Sequence, residues 1–275
     1  MSSGRHAIIR ATRVEWIKLR SVRSTSWLLL ATVGLTIAFG LLVCTSVDTS
    51  GGTPECVPGR PGCGDEDVVL NSLSGAYLGQ IAVIALGVLA ATSEYATGAI
   101  RSTFAAMPRR SRVVLAKVAV LAAPIFIAGL VGSAASFLLG QRILHTKGFV
   151  PANGYPLVSL ADPSVTRAVI GTALYLAVTA VLGFAVGTIG RRAGSAIAFV
   201  LTTVYAPAIM SLMLSDPLRG WLQRFSPMMA GLAIQRTVLR ADSVPIGAWA
   251  GFSVAAAWAA IALVVAMFVV RHRDA

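Results

Sequence analysis

Six long runs without a charged residue set the plan of this chain. The intervals free of Asp, Glu, Lys and Arg are Ser24 to Val47 (24 residues), Val68 to Ser93 (26), Val118 to Gln141 (24), Ala168 to Gly190 (23), Ala193 to Ser215 (23) and Ser243 to Val270 (28). At about 1.5 Å per helical residue, even the shortest reaches roughly 34 Å, past the ~30 Å hydrocarbon layer of a bilayer. The next uncharged interval, Gly148 to Ala161, has 14 residues and is broken by Pro151, Asn153, Gly154 and Pro156. The pattern therefore predicts an all-α integral membrane protein with six transmembrane helices, at about 25–46, 70–93, 118–140, 168–190, 194–214 and 246–270. No connection between spans is long enough for a soluble domain, and no internal repeat is visible, so residues 1–275 read as one membrane domain.

Composition agrees: 56% of the 275 residues are hydrophobic and only 12% charged, where soluble domains run near about 25% charged. A net charge of +12 would suggest a nucleic-acid partner if the spans were ignored. Its placement points to topology instead. With both termini in the cytoplasm, 15 of the 23 Lys and Arg residues fall on inner segments, and 8 of the 11 acids fall outside. That bias is the orienting signal of membrane insertion and leaves no basic surplus for nucleic acid.

Smaller features refine the plan. The first run is too long for the core of a secretory signal and no Ala-x-Ala site follows it, so it reads as a retained span. Cys44 follows Val43, not the small residue of a lipoprotein site, and reads as a buried structural cysteine. In the outer loop, Cys56 and Cys63 stand seven apart. On the oxidising side of a membrane they read as a disulfide-closed loop, the alternative being two free or metal-poised thiols. The acidic run Asp65, Glu66, Asp67 reads as a solvated cluster in preference to a cation site. Gly75-x-x-x-Gly79 and Gly183-x-x-x-Gly187 are close-approach motifs, serving packing within the bundle or, on the sharper reading, a dimer face. Pro124 and Pro207 fall inside spans three and five, where each permits a kink.

Between spans five and six, Arg219, Arg224, Arg236 and Arg240 interleave with Trp221, Leu222, Phe225, Met228, Met229, Leu232 and Leu239. This predicts short extracytoplasmic helices lying in or dipping into the outer leaflet. Two roles fit the four arginines: headgroup anchoring, or an outer gate for an amphipathic or anionic substrate.

Catalytic motifs are missing. There is no Gly-x-Ser-x-Gly, the histidines His6, His145 and His272 are scattered, and none of Lys18, Lys117 or Lys147 is followed by Ser or Thr. The chain thus has no phosphate-cradling loop of its own. Its spans contain no Asp, Glu, Lys, Arg or His, whereas ion-coupled transporters place such groups within theirs. An energy source on another polypeptide is the expectation, and sodium sites built only from carbonyls and hydroxyls stay open as an alternative.

The head Glu15-Trp-Ile-Lys18-Leu-Arg20-Ser-Val-Arg23-Ser-Thr-Ser-Trp27 and the first inner loop, Glu94 to Lys117, together resemble an ABC-2 type transporter permease subunit of actinobacterial style. In that family a Glu, a Gly four on, an Arg three further, a Pro-Arg pair and a Lys at the next span recur after span two. Glu94, Gly98, Arg101, Pro108, Arg109 and Lys117 stand at those places. The span count and the basic ending Arg271-His272-Arg273 also fit. The resemblance implies a multi-pass subunit of the bacterial cell membrane. It would work as a homodimer, or with a similar permease, bound to separate cytoplasmic ATP-binding subunits that carry ATP and Mg. The chain would itself be no enzyme and hold no cofactor or metal. Its cargo would be a lipid-like, peptide, polyketide or saccharide substrate, most often exported.

Independently of the resemblance, the Glu94 to Lys117 loop is the longest inner connection, with five basic residues against one acid. It is the natural partner-docking surface, and Arg101, Arg109 and Arg110 can form charge-assisted bonds to acids on a partner. Touching lipid headgroups is the alternative role. The head, with Trp16 and Trp27 among basic residues, predicts an N-terminal interfacial helix on anionic lipid. Two rival functions carry less of the pattern. One is a membrane scaffold or sensor without transport, for which Asn71, Gln80, Thr202, Thr203, Tyr205 and Ser211 would not form a polar path. The other is a membrane enzyme resting on Asp65 and Asp67.

Overall fold

The computed structural model describes residues 23–47, 67–96, 110–153, 155–215, 217–238 and 246–273. Among them every regular element is helical: α1 (Arg23–Ser46), α2 (Val68–Leu73), α3 (Ala76–Ala96), α4 (Arg110–Thr146), α5 (Pro163–Gly190), α6 (Ala193–Ser211), α7 (Leu218–Phe225), α8 (Pro227–Gly231) and α9 (Ala248–Arg273). Short 3-10 turns cover Pro151–Asn153 and Leu232–Gln235. Six stretches are long and apolar enough to cross a bilayer: Ser24–Ser46, Val68–Ser93, Val113–Thr146, Pro163–Gly190, Ala193–Ser211 and Ala248–His272. The protein is thus an all-helical bundle suited to a multi-pass membrane setting. One end, where α3 finishes and α4 begins, is called the basic end below; the other is the hairpin end.

Glycine decides how closely the spans approach. A Cβ on Gly87 of α3 would sit 2.2 Å from Ala180 O of α5, and one on Gly183 would sit 2.8 Å from Ile84 O. Side chains there would force the two backbones apart, so α3 and α5 make the central pair. Val83, Ile84, Val88, Leu176, Ala180 and Phe184 close the core around them. The Gly75 and Gly79 pair faces α1 instead, with would-be Cβ atoms 1.6 Å from Thr36 O and 2.3 Å from Thr36 Oγ1. Both small-residue motifs are therefore occupied by packing within one chain. α1 packs on α3 and α4, α9 packs on α5, and α6 leans on α5 and α3. Burial reflects this order: 67% and 72% of the second and fourth spans are buried, against 22%, 17% and 22% of the first, fifth and sixth.

Several boundaries differ from those read in the sequence. Span two is two helices, α2 and α3, separated by a turn at Ser74 and Gly75. The sequence shows an unbroken apolar run there, but the backbone must bend where Gly75 meets Thr36. The third span extends past both predicted ends because a helix continues into the aqueous layer through Arg110 and Lys117 and out to Thr146. Pro124 is accommodated inside it without ending it. The predicted N-terminal interfacial helix and the Cys56 and Cys63 pair lie outside the described residues.

The segment between the fifth and sixth spans forms the short helices expected of it, and of the two arrangements its sequence allows it takes the inward one: it enters the bundle and returns. Trp258 Nε1 donates to Phe225 O at 2.9 Å, and Trp258 stands ten residues into α9, about 15 Å along the helix. Gln80 Nε2 reaches Met228 Sδ at 3.0 Å, twelve residues past Val68. Further on, Ile234 packs on Gly171, where a Cβ would meet its Cγ1 at 2.2 Å, and Thr237 is back beside Asp67 at the start of α2. Met228, Leu232, Ala233 and Ile234 are buried because their apolar side chains fill the space between α3, α5 and α9 rather than facing lipid.

Gly75→Ala is expected to destabilise the protein by about 1–3 kcal/mol or more, because its Cβ has nowhere to go. Gly34→Ala, with nothing within 4 Å of the added Cβ, is expected to be neutral or stabilising by up to ~1 kcal/mol. Thermal unfolding of both variants in the same detergent checks the contrast.

Candidate functional site: a polar seam beneath the hairpin

The break in span two frees backbone carbonyls in an apolar layer, and polar side chains from two other elements reach them. The Ser136 hydroxyl of α4 lies 2.6 Å from Ser72 O and 3.3 Å from Thr36 O. Gln235, on the returning limb, donates from Nε2 to Leu73 O at 3.2 Å and to Thr172 Oγ1 at 3.0 Å. Thr172 passes its own hydrogen to Ala168 O at 2.7 Å. Gln141 Nε2 donates to Ser72 Oγ at 3.3 Å, and the Cys44 thiol lies 3.9 Å from the same oxygen. Cys44 is buried, as its sequence context predicts.

One to two turns deeper lies a second group. Tyr175 OH donates to Gln80 Oε1 at 2.6 Å, and Gln80 Nε2 donates to Tyr77 O at 3.3 Å. Tyr205 of α6 donates its hydroxyl to the same Tyr77 carbonyl. These contacts join α3, α5, α6 and α8 through neutral hydrogen bonds. Of the polar-path candidates in the sequence, Gln80 and Tyr205 belong to this group. Thr203 and Ser211 instead bond to their own helix backbone at Phe199 O and Ala208 O, and Thr202 is exposed.

Asp67 closes the seam at the hairpin end, where the acidic run was expected to be solvated. It is buried, and both carboxylate oxygens are engaged. Oδ1 accepts from Leu70 N at 3.0 Å and Thr237 Oγ1 at 2.8 Å; Oδ2 accepts from Thr237 N at 2.6 Å and Val238 N at 3.1 Å. One side chain therefore caps α2 and fastens the return of a segment 170 residues later. Its oxygens are occupied by structural bonds; Asp65 lies outside the described residues. Nearby, an Arg167 Nη2 hydrogen goes to Arg236 O.

The four arginines assigned to an outer gate are divided by the structure. Arg219 and Arg224 are exposed on α7, Arg236 is half-buried where the returning limb leaves the bundle, and Arg240 lies outside the described residues. At the basic end, Gly98, Arg101, Pro108 and Arg109 also lie outside them; Glu94 falls in the last turns of α3, and Arg110 and Lys117 fall in α4. There Arg191 takes a left-handed conformation, φ 56°, as it ends α5, and its guanidinium stands 5.1 Å from the centre of the Tyr95 ring. This contact ties the tight turn between α5 and α6 to the end of α3 from which the Glu94 loop departs.

Asp67 carried a signal in the sequence, an acid directly before an apolar run, which is the place of a helix cap. Gln235 and Ser136 carried none, since their partners are carbonyls brought near only by folding, and Thr172 meets Gln235 only in the folded chain. Among the described residues no three His, Cys, Asp or Glu side chains cluster as a metal site would require. Comparison with protein-family models finds none that matches the chain. Comparison with curated proteins likewise finds no match.

Asp67→Asn replaces one acceptor oxygen with an amide group facing backbone N–H donors, and is expected to destabilise the protein by about 2 kcal/mol or more. Thr237→Val in the same background should add less than it costs alone, because the two residues share the bonds. A thermal-unfolding cycle of the two single variants and the double variant measures this coupling.

Proposed function

We propose that this chain is the membrane-spanning permease subunit of an ATP-driven ABC transporter of the ABC-2 type. It acts as an exporter, working as a dimer with separate cytoplasmic ATP-binding subunits in the bacterial cell membrane. The observation that carries the reading is the Glu94, Gly98, Arg101, Pro108, Arg109, Lys117 pattern in the longest basic connection between spans. The six uncharged runs hold no Asp, Glu, Lys, Arg or His to couple to an ion gradient. On this reading ATP and Mg stay on the partner, and the basic end receives the partner's motion. The Arg191 and Tyr95 contact then carries that motion from the docking loop toward α5 and α6. The weakly buried first, fifth and sixth spans are the ones left to face a second copy or lipid and to tilt against the α3 and α5 pair.

Mass spectrometry of the tagged protein in mild detergent tests this directly. A cytoplasmic ATP-binding subunit at near-equal stoichiometry is the expected result. Its absence across several detergents and nanodiscs would favour a scaffold or sensor that moves nothing. Arg109→Glu with Arg110→Glu is expected to cut partner recovery and substrate-stimulated ATP hydrolysis about tenfold, with membrane insertion intact. Unchanged co-purification would remove this loop as the docking surface.

A further inference from the structure

α7 puts charge where a bilayer does not tolerate it. Its Leu218, Trp221 and Phe225 are exposed on one side, and Arg219 and Arg224 are exposed on the flanks of the other. On an interfacial helix this pattern would need no comment. Here the end of α7 is at depth, because Phe225 O is held by Trp258 Nε1 at 2.9 Å. Trp258 is ten residues inside α9, and three residues after Phe225 the chain meets Gln80 within the second span. Arg224, one residue before Phe225, therefore stands within the outer half of the layer, on a helix that packs against α6 and α9. A guanidinium open to hydrocarbon at that level is strongly disfavoured, and intramembrane charges accordingly face water or a bundle interior.

We infer that the arginine-bearing side of α7 borders a water-filled path reaching into the membrane layer, and that Arg224 and Arg219 form on it a contact for an anionic group of a transported solute. Low-dielectric walls would strengthen the attraction of the two guanidiniums for phosphate, sulfonate or carboxylate. The neutral Gln80, Tyr175, Tyr77 and Tyr205 group lies at a similar level and adds hydrogen-bonding capacity without charge. As a cargo contact this site rests on the permease reading, whereas the water access of α7 does not.

The test is thiol accessibility of the full chain in phosphatidylcholine nanodiscs, with its three cysteines replaced and no partner added. Arg224→Cys should react with a membrane-impermeant sulfonate thiol reagent at least about tenfold faster than Ile261→Cys on the lipid-facing side of α9. It should also react about threefold or more faster with that reagent than with the trimethylammonium equivalent, a preference lost when Arg219→Gln is added. Inorganic pyrophosphate should slow the reaction. No labelling of Arg224→Cys, or equal rates with both reagents, would overturn the inference. Slowing by phosphatidylglycerol in the discs but not by pyrophosphate would assign the arginines to a lipid headgroup and overturn the solute contact. Since no ATPase takes part, failure here is distinct from failure to recover an ATP-binding partner.

Discussion

A backbone carbonyl or amide left without a partner inside a hydrocarbon layer costs several kcal/mol, so a chain that bends there must bring its own donors and acceptors. The second span is interrupted at Ser74 and Gly75, and the hairpin end of the bundle is organised around that turn. Ser136 answers Ser72 O, Gln235 answers Leu73 O, and Asp67 fixes both the start of α2 and the return of the hairpin. Remove any of these side chains and a polar group is stranded in an apolar setting. The hairpin is therefore part of the span-two structure, not an ornament laid on it.

Close packing supplies the second half of the account. Lipid offers no hydrophobic drive for helix association, so contact area and backbone approach decide which spans cohere. Glycines at Gly87, Gly183 and Gly187 let α3 and α5 meet backbone to backbone, and Gly171, Gly231 and Gly251 make room for the inserted hairpin against Ile234, Tyr175 and Ala230. α6 and α9 present large exposed side chains such as Phe199, Ile209, Ile261 and Phe268. The bundle thus has a buried centre and outer spans that expose large apolar side chains.

The number of spans and their approximate extents were legible in the sequence, because charge is excluded from the hydrocarbon layer and its absence can be read residue by residue. The ends of the spans were less so: nothing in the run after Lys117 says that the helix has already begun at Arg110. Gly75-x-x-x-Gly79 announced close packing, yet the same glycine also marks the break in span two, and the motif alone does not separate the two roles. Asp67 looked like one acid among three in a loop, and its burial depends on Thr237 and Val238 far along the chain. Arg and aromatic residues interleaved between spans five and six read as an interface, because local composition cannot say how deep a short helix sits.

The sequence by itself determined that this is a six-span helical protein, that its ends and connections carry an asymmetric charge, and that the six uncharged runs hold no Asp, Glu, Lys, Arg or His. These are properties of single segments measured against a solvent, and each segment answers to the bilayer alone. Only the tertiary structure decided that α3 and α5 form the centre, that span two is broken, that Asp67 is a buried fastener, and that the chain after α7 turns into the bundle between α3, α5 and α9. Those outcomes depend on pairs of residues as far apart as Asp67 and Thr237. Satisfying a buried carbonyl or seating a glycine is a relation between segments, and no single segment contains it.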